Sequence, residues 1–170
     1  MAATAGLDFY MRYIVHEAPL RRAPSNITAM IDLEPFGLPG EMEQVWITPP
    51  SGTTAAMACV PFRAYGLALN DVVGLDTHRR RVRRLLRSSG HQAFRLHFSR
   101  CSEEEAAILR DGVEATVERM GLGCEWSGDR HVVIDVPPGV ELDPLEPVIR
   151  DHVDTGRASW EWGHVEPFRI

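Results

Sequence analysis

The side chains best suited to chemistry lie on two predicted strands in the C-terminal half of the chain. Arg95 and His97 alternate with apolar residues on one strand, and Asp135 holds an equivalent position on another. Alternation of this kind directs the three side chains to one face of a sheet. There, Asp135 would orient the imidazole of His97 for general-base catalysis, and Arg95 would bind an anionic group. These three residues form the candidate catalytic set.

The alternative is that the same polar side chains are structural. If the N-terminal β region packs over their face of the sheet, Arg95, His97 and Asp135 would satisfy their hydrogen bonds within the protein and catalyse nothing. We favour this interpretation. The sequence has no nucleophile elbow, no glycine-rich phosphate loop and no metal-ligand spacing that would support an enzyme.

A second candidate site is a run of arginines. Between Asp76 and Glu103 the chain carries eight Arg and no acidic residue, although its net charge is −6. Such a field would attract phosphate, nucleic acid or an acidic protein. We favour the alternative that these arginines pair with the chain's own acids, such as those at 103–105, Asp111 and Glu114. The candidate binding residues of this run are Arg79, Arg80, Arg81, Arg83, Arg84 and Arg87.

A third candidate is aromatic and lies near the C-terminus. Trp160 and Trp162 occupy alternate positions of a predicted strand, and His164 follows them. Paired tryptophans often anchor protein interfaces. They serve about as often as apolar cover for a core strand, so both interpretations stay open.

The composition excludes several function classes. All 18 basic residues are Arg, so lysine Schiff-base chemistry and the P-loop lysine are ruled out. The cysteines Cys59, Cys101 and Cys124 are widely spaced, which predicts reduced packing residues and neither a zinc site nor a disulfide. The N-terminus has no signal-peptide pattern and no window is apolar enough to span a membrane, so we predict a cytoplasmic protein without a cofactor.

The elements that position the candidate sites differ between the two halves of the chain. Residues 8–60 alternate apolar and polar in short runs separated by Pro and Gly, which predicts antiparallel strands. A hairpin follows over 71–87, and its second arm carries the arginines. From Phe94 onward the patterns predict strand, helix, strand, strand, helix and strand, with Ser102 and Glu105 forming a capping box on the first helix. Asp143 and Glu146 are predicted to form a second capping box on the second helix. The buried stripe of the first helix is predicted to consist of Ile108, Leu109, Val113, Thr116, Val117 and Met120.

The predicted fold class is therefore α+β. An N-terminal antiparallel β region, taken as a sub-domain of residues 1–90, packs on a C-terminal ferredoxin-like βαββαβ unit of residues 91–170. In this arrangement the apolar residues that begin at Phe94 face the two helices. The candidate catalytic side chains then lie on the opposite face of the sheet.

Three segments resemble an uncharacterised bacterial family, the domain of unknown function 4265 family. The first is VPFRAYGLALNDVV, from Val60 to Val73, and the others lie at 89–98 and 133–139. The resemblance covers roughly residues 43–166. It implies no activity, no cofactor and no catalytic residues.

These patterns lead to three functional hypotheses in order of preference. The first is a non-enzymatic protein-binding or regulatory module that uses an exposed sheet edge or the arginine-rich hairpin. The second is nucleic-acid or nucleotide binding through the arginines of 79–87. The third is a small enzyme built on His97, Asp135 and Arg95.

Overall fold

The structure is a computed structural model that describes residues 11–76, 78 and 80–169. Its helices are α1 (Glu103–Arg119) and α2 (Glu146–Asp154), with single 3₁₀ turns at Glu34–Phe36 and Asp143–Leu145. Its strands are β1 (Arg12–Val15), β2 (Ile27–Asp32), β3 (Glu41–Ile47), β4 (Thr54–Ala56), β5 (Val72–Asp76), β6 (Arg81–Arg87), β7 (Gln92–His97), β8 (Gly123–Ser127), β9 (His131–Val136) and β10 (Ser159–Trp162). The fold class is α+β, as predicted. In the described part of the chain, no helix is long and apolar enough to cross a bilayer.

The first sheet has the strand order β1-β3-β2-β6-β5-β4. The predicted hairpin at 71–87 is confirmed, because β5 and β6 pair antiparallel. The prediction of a purely antiparallel sheet is wrong. β1 joins β3 in parallel, and β2 joins β6 in parallel through Met30 and Arg81. These parallel neighbours are far apart in sequence, and a long connection does not force the reversal that a tight hairpin does.

The second sheet has the order β10-β7-β9-β8, and both helices cover one of its faces. The predicted alternation is confirmed. Phe94 and Leu96 of β7 pack with Ile134 of β9 and with Leu109 and Val113 of α1 in one apolar cluster. Since β7 and β9 are the central strands, the candidate catalytic residues lie at the middle of the opposite face.

The predicted start of α1 is confirmed, whereas its apolar stripe needs a correction. Ser102 accepts from the backbone N–H of Glu105, and the Glu105 side chain accepts from that of Ser102. Ile108, assigned to the buried stripe, is 65% exposed, because the buried positions Leu109, Val113 and Val117 define a face that excludes it.

The start of α2 also differs from its prediction. Asp143 and Pro144 belong to the preceding 3₁₀ turn, and Leu145 holds the N-cap position without a side-chain hydrogen bond. The capping box predicted for Asp143 and Glu146 is therefore wrong.

A buried histidine joins the two sheets. His16, which directly follows β1, lies between Glu43 of β3 and Glu125 of β8. Its Nε2 is 2.8 Å from Glu43 Oε1, and its Nδ1 is 2.6 Å from Glu125 Oε2. The three residues are at most 3% exposed. We call them the carboxylate clamp, because an imidazolium with two N–H donors can bind both carboxylates at once.

Electrostatics favour the charged form of this histidine. Burial on its own lowers the pKa of His16, but the hydrogen bonds to the buried carboxylates of Glu125 and Glu43 raise that pKa well above its usual value. Burial raises the pKa of the Cys59 thiol, so the thiol stays neutral and the carboxylates balance the imidazolium. Burial also opposes ionisation of Glu43, yet the hydrogen bond and charge of His16, with backbone N–H donors, hold the Glu43 pKa below its usual value.

The segment 60–69 fills the space between the sheets around this clamp. Glu43 accepts hydrogen bonds from the backbone N–H groups of Phe62, Arg63 and Ala64. The ring of Phe62 stacks on that of His16, with centroids 4.1 Å apart. The apolar side chains packed between this segment and the second sheet are Val60, Phe62, Leu69, Ala93 and Val133.

Replacement of His16 by Ala should lower the free energy of unfolding by about 3–5 kcal/mol, because two buried carboxylates would then lack their counter-charge. Urea unfolding followed by circular dichroism measures this change. The matched control is the exposed His78, whose replacement by Ala should cost less than about 0.5 kcal/mol. Equal, small losses for both variants would show that the clamp does not stabilise the fold.

Candidate functional site

A polar cavity of about 320 Å³ opens on the face of the second sheet that the helices do not cover. Strands β7, β9 and β10 supply one wall, and the segment that binds Glu43 supplies the other. The lining side chains with polar groups are Arg63, Tyr65, Arg95, His97, His131, Ser159, Trp160 and Glu161. Several polar groups of different chemistry therefore converge on one concave surface, which is typical of a ligand site.

Arg95 is held firmly at the base of this cavity. It is 2% exposed, and its Nη1 donates to Glu161 Oε1 at 3.1 Å. Its Nη2 donates to the backbone carbonyls of Pro61 and Ala64. The guanidinium lies 4.8 Å from the ring centroid of Tyr65, whose hydroxyl donates to Glu161 Oε2 at 2.6 Å. Arg95 is thus largely satisfied within the protein, as the structural interpretation expected.

The structure does not bring His97 and Asp135 together. The register of β7 and β9 places His97 opposite His131, and Asp135 opposite Ala93 four residues further along. That offset corresponds to about 13 Å of strand. Asp135 is instead hydrogen bonded to Nδ1 of His91, at 2.9 Å and 3.0 Å from its two oxygens. The predicted pair is wrong because a shared face does not fix which residues are opposite.

His97 has a second histidine as its neighbour. The rings of His97 and His131 lie 5.9 Å apart and nearly perpendicular. Burial, followed by the charges of Arg63 and Arg95, lowers the pKa of His131 to about 3. Burial, followed by the charges of Arg63 and Arg130, also lowers the pKa of His97. Both imidazoles are therefore neutral near pH 7 and sit in a positive field.

An apolar groove of about 570 Å³ lies on the other face of the same sheet, between β10, β7 and α2. The two predicted tryptophans meet there. Phe94 stacks on Trp160 with ring centroids 5.6 Å apart and meets the edge of Trp162 at 5.0 Å. Ile149 of α2 lines the opposite wall. Trp160 remains 50% exposed, so one large aromatic side chain faces solvent at the groove.

The rim of this groove is acidic. One basic residue, Arg150, is among its lining residues, and its Nη2 is 2.8 Å from Glu146 Oε1. The acidic lining residues are Glu141, Asp143, Glu146 and Asp154. The groove thus combines an apolar floor with a negative edge, and β10 is the outer strand of its sheet.

Most side chains of the arginine run are exposed to solvent on β6 and in the turn before it. Arg79 lies outside the described residues, and Arg80 is exposed in the turn before β6. On β6, Arg81 Nη1 is 3.9 Å from Asp32 Oδ2. The remaining arginines of the strand, Arg83, Arg84 and Arg87, are exposed and form no ion pair with any residue that the structure describes.

Of the eight arginines, Arg81 and Arg95 pair with acids of the chain, Asp32 and Glu161, but no pair with the acids of α1 forms in the described chain. Two of the acids proposed as partners bind other arginines. Glu105 pairs with Arg157, and Glu114 pairs with Arg110 at 3.1 Å. Glu114 is neutralised within α1 by its i,i+4 neighbour, whereas the partner of Glu105 follows α2.

Comparison with known proteins places this architecture in a family. The family model for a domain of unknown function, DUF4265, matches residues 43–160. The chain belongs to this family. The match contains Glu43 and Glu125 of the clamp and all the polar lining residues of the cavity except Glu161. His16 and Trp162 lie outside it.

One solved structure has a similar fold. A solved structure described as a hypothetical protein from Neisseria gonorrhoeae superimposes with a TM-score of 0.56 at 16% sequence identity. The superposition covers 85% of this chain and 96% of the other. At this identity the likeness extends to the fold alone. No curated protein matches the chain.

Sequence reasoning missed the clamp and half of the cavity. Glu43 carried a usable signal, because it shares the alternating positions of Val45 and Ile47, both of which are buried on β3. Arg63 and Tyr65 lie within the segment from Val60 to Val73 that resembles the DUF4265 family, and the resemblance implies no role for them. Nothing in the sequence indicated that this segment turns over the second sheet.

The lowered pKa of His131 can be tested directly. NMR spectra of the histidine rings, recorded between pH 8 and pH 3, should show His131 neutral down to about pH 4, because burial and two arginines disfavour its protonated form. Replacement of Arg63 by Gln should raise this pKa. A midpoint near the usual histidine value in the unmodified protein would contradict the burial of His131.

Proposed function

We propose that the protein is a protein-binding module whose groove beside β10 takes an extended segment of a partner with basic and apolar side chains. The observation that carries the proposal is Trp160, half exposed at the wall of an apolar groove beside an outer strand. Exposed tryptophans at concave apolar sites are typical interface anchors. An outer strand offers backbone hydrogen bonds to an added strand.

Charge complementarity determines the kind of partner. Four acidic side chains line the groove, and its arginine is already bound to one of them, Glu146. A partner segment with alternating basic and apolar residues would place apolar side chains on Trp160 and basic ones at the rim. An acidic segment would meet like charges, which gives the groove selectivity as well as affinity.

We infer that the strand–helix–strand–strand–helix–strand unit from β7 to β10 is ferredoxin-like, which its sheet order β10-β7-β9-β8 supports. The division into sub-domains at residues 90 and 91 stays a prediction. So does the bacterial cytoplasm as location, which is in keeping with three cysteines that form no disulfide among the described residues.

The test uses a labelled ten-residue peptide that alternates Arg with Leu. It should bind the full-length protein, and replacement of Trp160 by Ala should weaken binding by at least about tenfold, because a buried tryptophan anchor contributes 2 kcal/mol or more. Fluorescence anisotropy measures the dissociation constants. The matched control is Ile108→Ala, which removes an exposed apolar side chain of α1 outside the groove.

Two results would refute the groove as a peptide site. One is unchanged affinity in the Trp160→Ala variant. The other is equal affinity for a peptide with Glu in place of Arg, since the acidic rim must reject it. Far-ultraviolet circular dichroism of each variant confirms that it is folded.

A second candidate function is nucleic-acid or phosphate binding by β6. The supporting observation is that Arg83, Arg84 and Arg87 are exposed without an ion pair in the described chain. Residues 80–87 contain no aromatic side chain on which bases could stack. Contacts of this strand would therefore be to phosphate, which favours duplex backbone binding without sequence preference.

Salt dependence tests this second function. If β6 binds a 20-base-pair duplex, replacing Arg83, Arg84 and Arg87 together by Gln should lower the slope of log affinity against log salt by about 0.9 per lost phosphate contact, up to about 3. Filter binding between 50 and 200 mM salt provides the slopes.

The control for this experiment removes the same charge elsewhere. Arg21, Arg22 and Arg100 are also exposed, and their joint replacement by Gln should leave the slope unchanged. Equal slopes in the two triple variants would assign any binding to net charge and exclude β6 as a specific phosphate surface.

A further inference from the structure

Two residues that line the polar cavity each have a buried nitrogen atom without a hydrogen-bond partner in the described chain. Nδ1 of His131 and Nε of Arg95 are both shielded from solvent, and neither is hydrogen bonded to any residue that the structure describes. The residues themselves are 5% and 2% exposed. Buried polar atoms are nearly always satisfied, so each exception requires an explanation. Here both residues line the same cavity.

The charges around the cavity leave one cation unmatched. Arg95 is balanced by Glu161, whose two oxygens are taken up by Arg95 and by the Tyr65 hydroxyl. Arg63 also lines the cavity, and its guanidinium forms no ion pair within the described chain. Its backbone N–H is fixed by Glu43 of the clamp. The segment that carries this free guanidinium is therefore anchored beside two neutral histidines.

We propose that this cavity binds a small organic anion, with a carboxylate or phosphate group held by Arg63, His97 and His131. A planar guanidinium can donate two parallel hydrogen bonds to either group. Each neutral imidazole supplies one further N–H donor. The inference is independent of the peptide groove, which lies on the other face of the sheet and is acidic where the cavity is basic.

The dimensions of the cavity limit the ligand. A volume of about 320 Å³ lies at the lower end of the range for small-molecule sites, which accommodates a metabolite and excludes a folded protein or a nucleic-acid duplex. Glu161 closes one side with a negative charge. The anionic group must therefore sit toward Arg63 and the histidines, with the neutral part of the ligand toward Ser159 and Trp160.

The experiment is an NMR titration of the full-length protein with two probes, inorganic phosphate and malonate. Binding should shift the ring signals of His97 and His131 in a saturable manner. In the Arg63→Gln variant the dissociation constant should rise at least about tenfold, because a charge-assisted hydrogen bond to the anion is lost. The variant should fold normally, since no partner in the described chain depends on that guanidinium.

The control is Arg83→Gln, which removes the same charge from an exposed position on β6. Saturable shifts that Arg63→Gln weakens and Arg83→Gln preserves support the proposal, for whichever probe produces them. Equal weakening in both variants would reveal a general charge effect and overturn it. The absence of any shift at His97 and His131 with both probes would overturn it as well.

Discussion

The carboxylate clamp is the interaction on which the rest of the architecture depends. Three ionisable side chains lie almost fully buried between two sheets, where an unpaired charge would cost several kcal/mol. The cost is offset because each partner is satisfied: His16 binds both carboxylates, and backbone N–H groups supply the remaining donors to Glu43 and Glu125. Because Glu43 and Glu125 belong to different sheets, satisfying these charges also fixes how the sheets sit together.

The clamp also builds the polar cavity. Glu43 accepts hydrogen bonds from three successive backbone N–H groups of the 62–64 segment, and these bonds hold that segment over the second sheet. Arg63 and Tyr65 are thereby placed opposite β7, and the carbonyl of Ala64 is placed where Arg95 can donate to it. A buried charge network at the centre thus positions the candidate ligand groups at the edge, as supporting hydrogen bonds do in other functional sites.

The sequence predicted what local patterns control and missed what tertiary contacts control. Alternation of Phe94 and Leu96 correctly assigned the helix-covered face of the second sheet, because a strand has only two faces. Pairing partners were beyond reach: His97 faces His131, and Asp135 binds His91, because register depends on the whole strand. The position of Ile108 was misassigned for a related reason. The apolar stripe of α1 is wide, and the sequence does not show which of its residues lies outside the buried face. The clamp was invisible because its members are separated by 27 and 109 residues.

The two candidate sites meet at one short strand. Period-two alternation directs Glu161 of β10 into the polar cavity, and it directs Trp160 and Trp162 toward the groove on the opposite face. Trp160 lines both spaces. As an outer strand, β10 has β7 as its single neighbour in the sheet, so it is less constrained than the central strands. A ligand that binds on one face of β10 and orders this strand therefore also orders the side chains that line the site on the other face. By thermodynamic linkage, each ligand must then change the affinity for the other by the same factor.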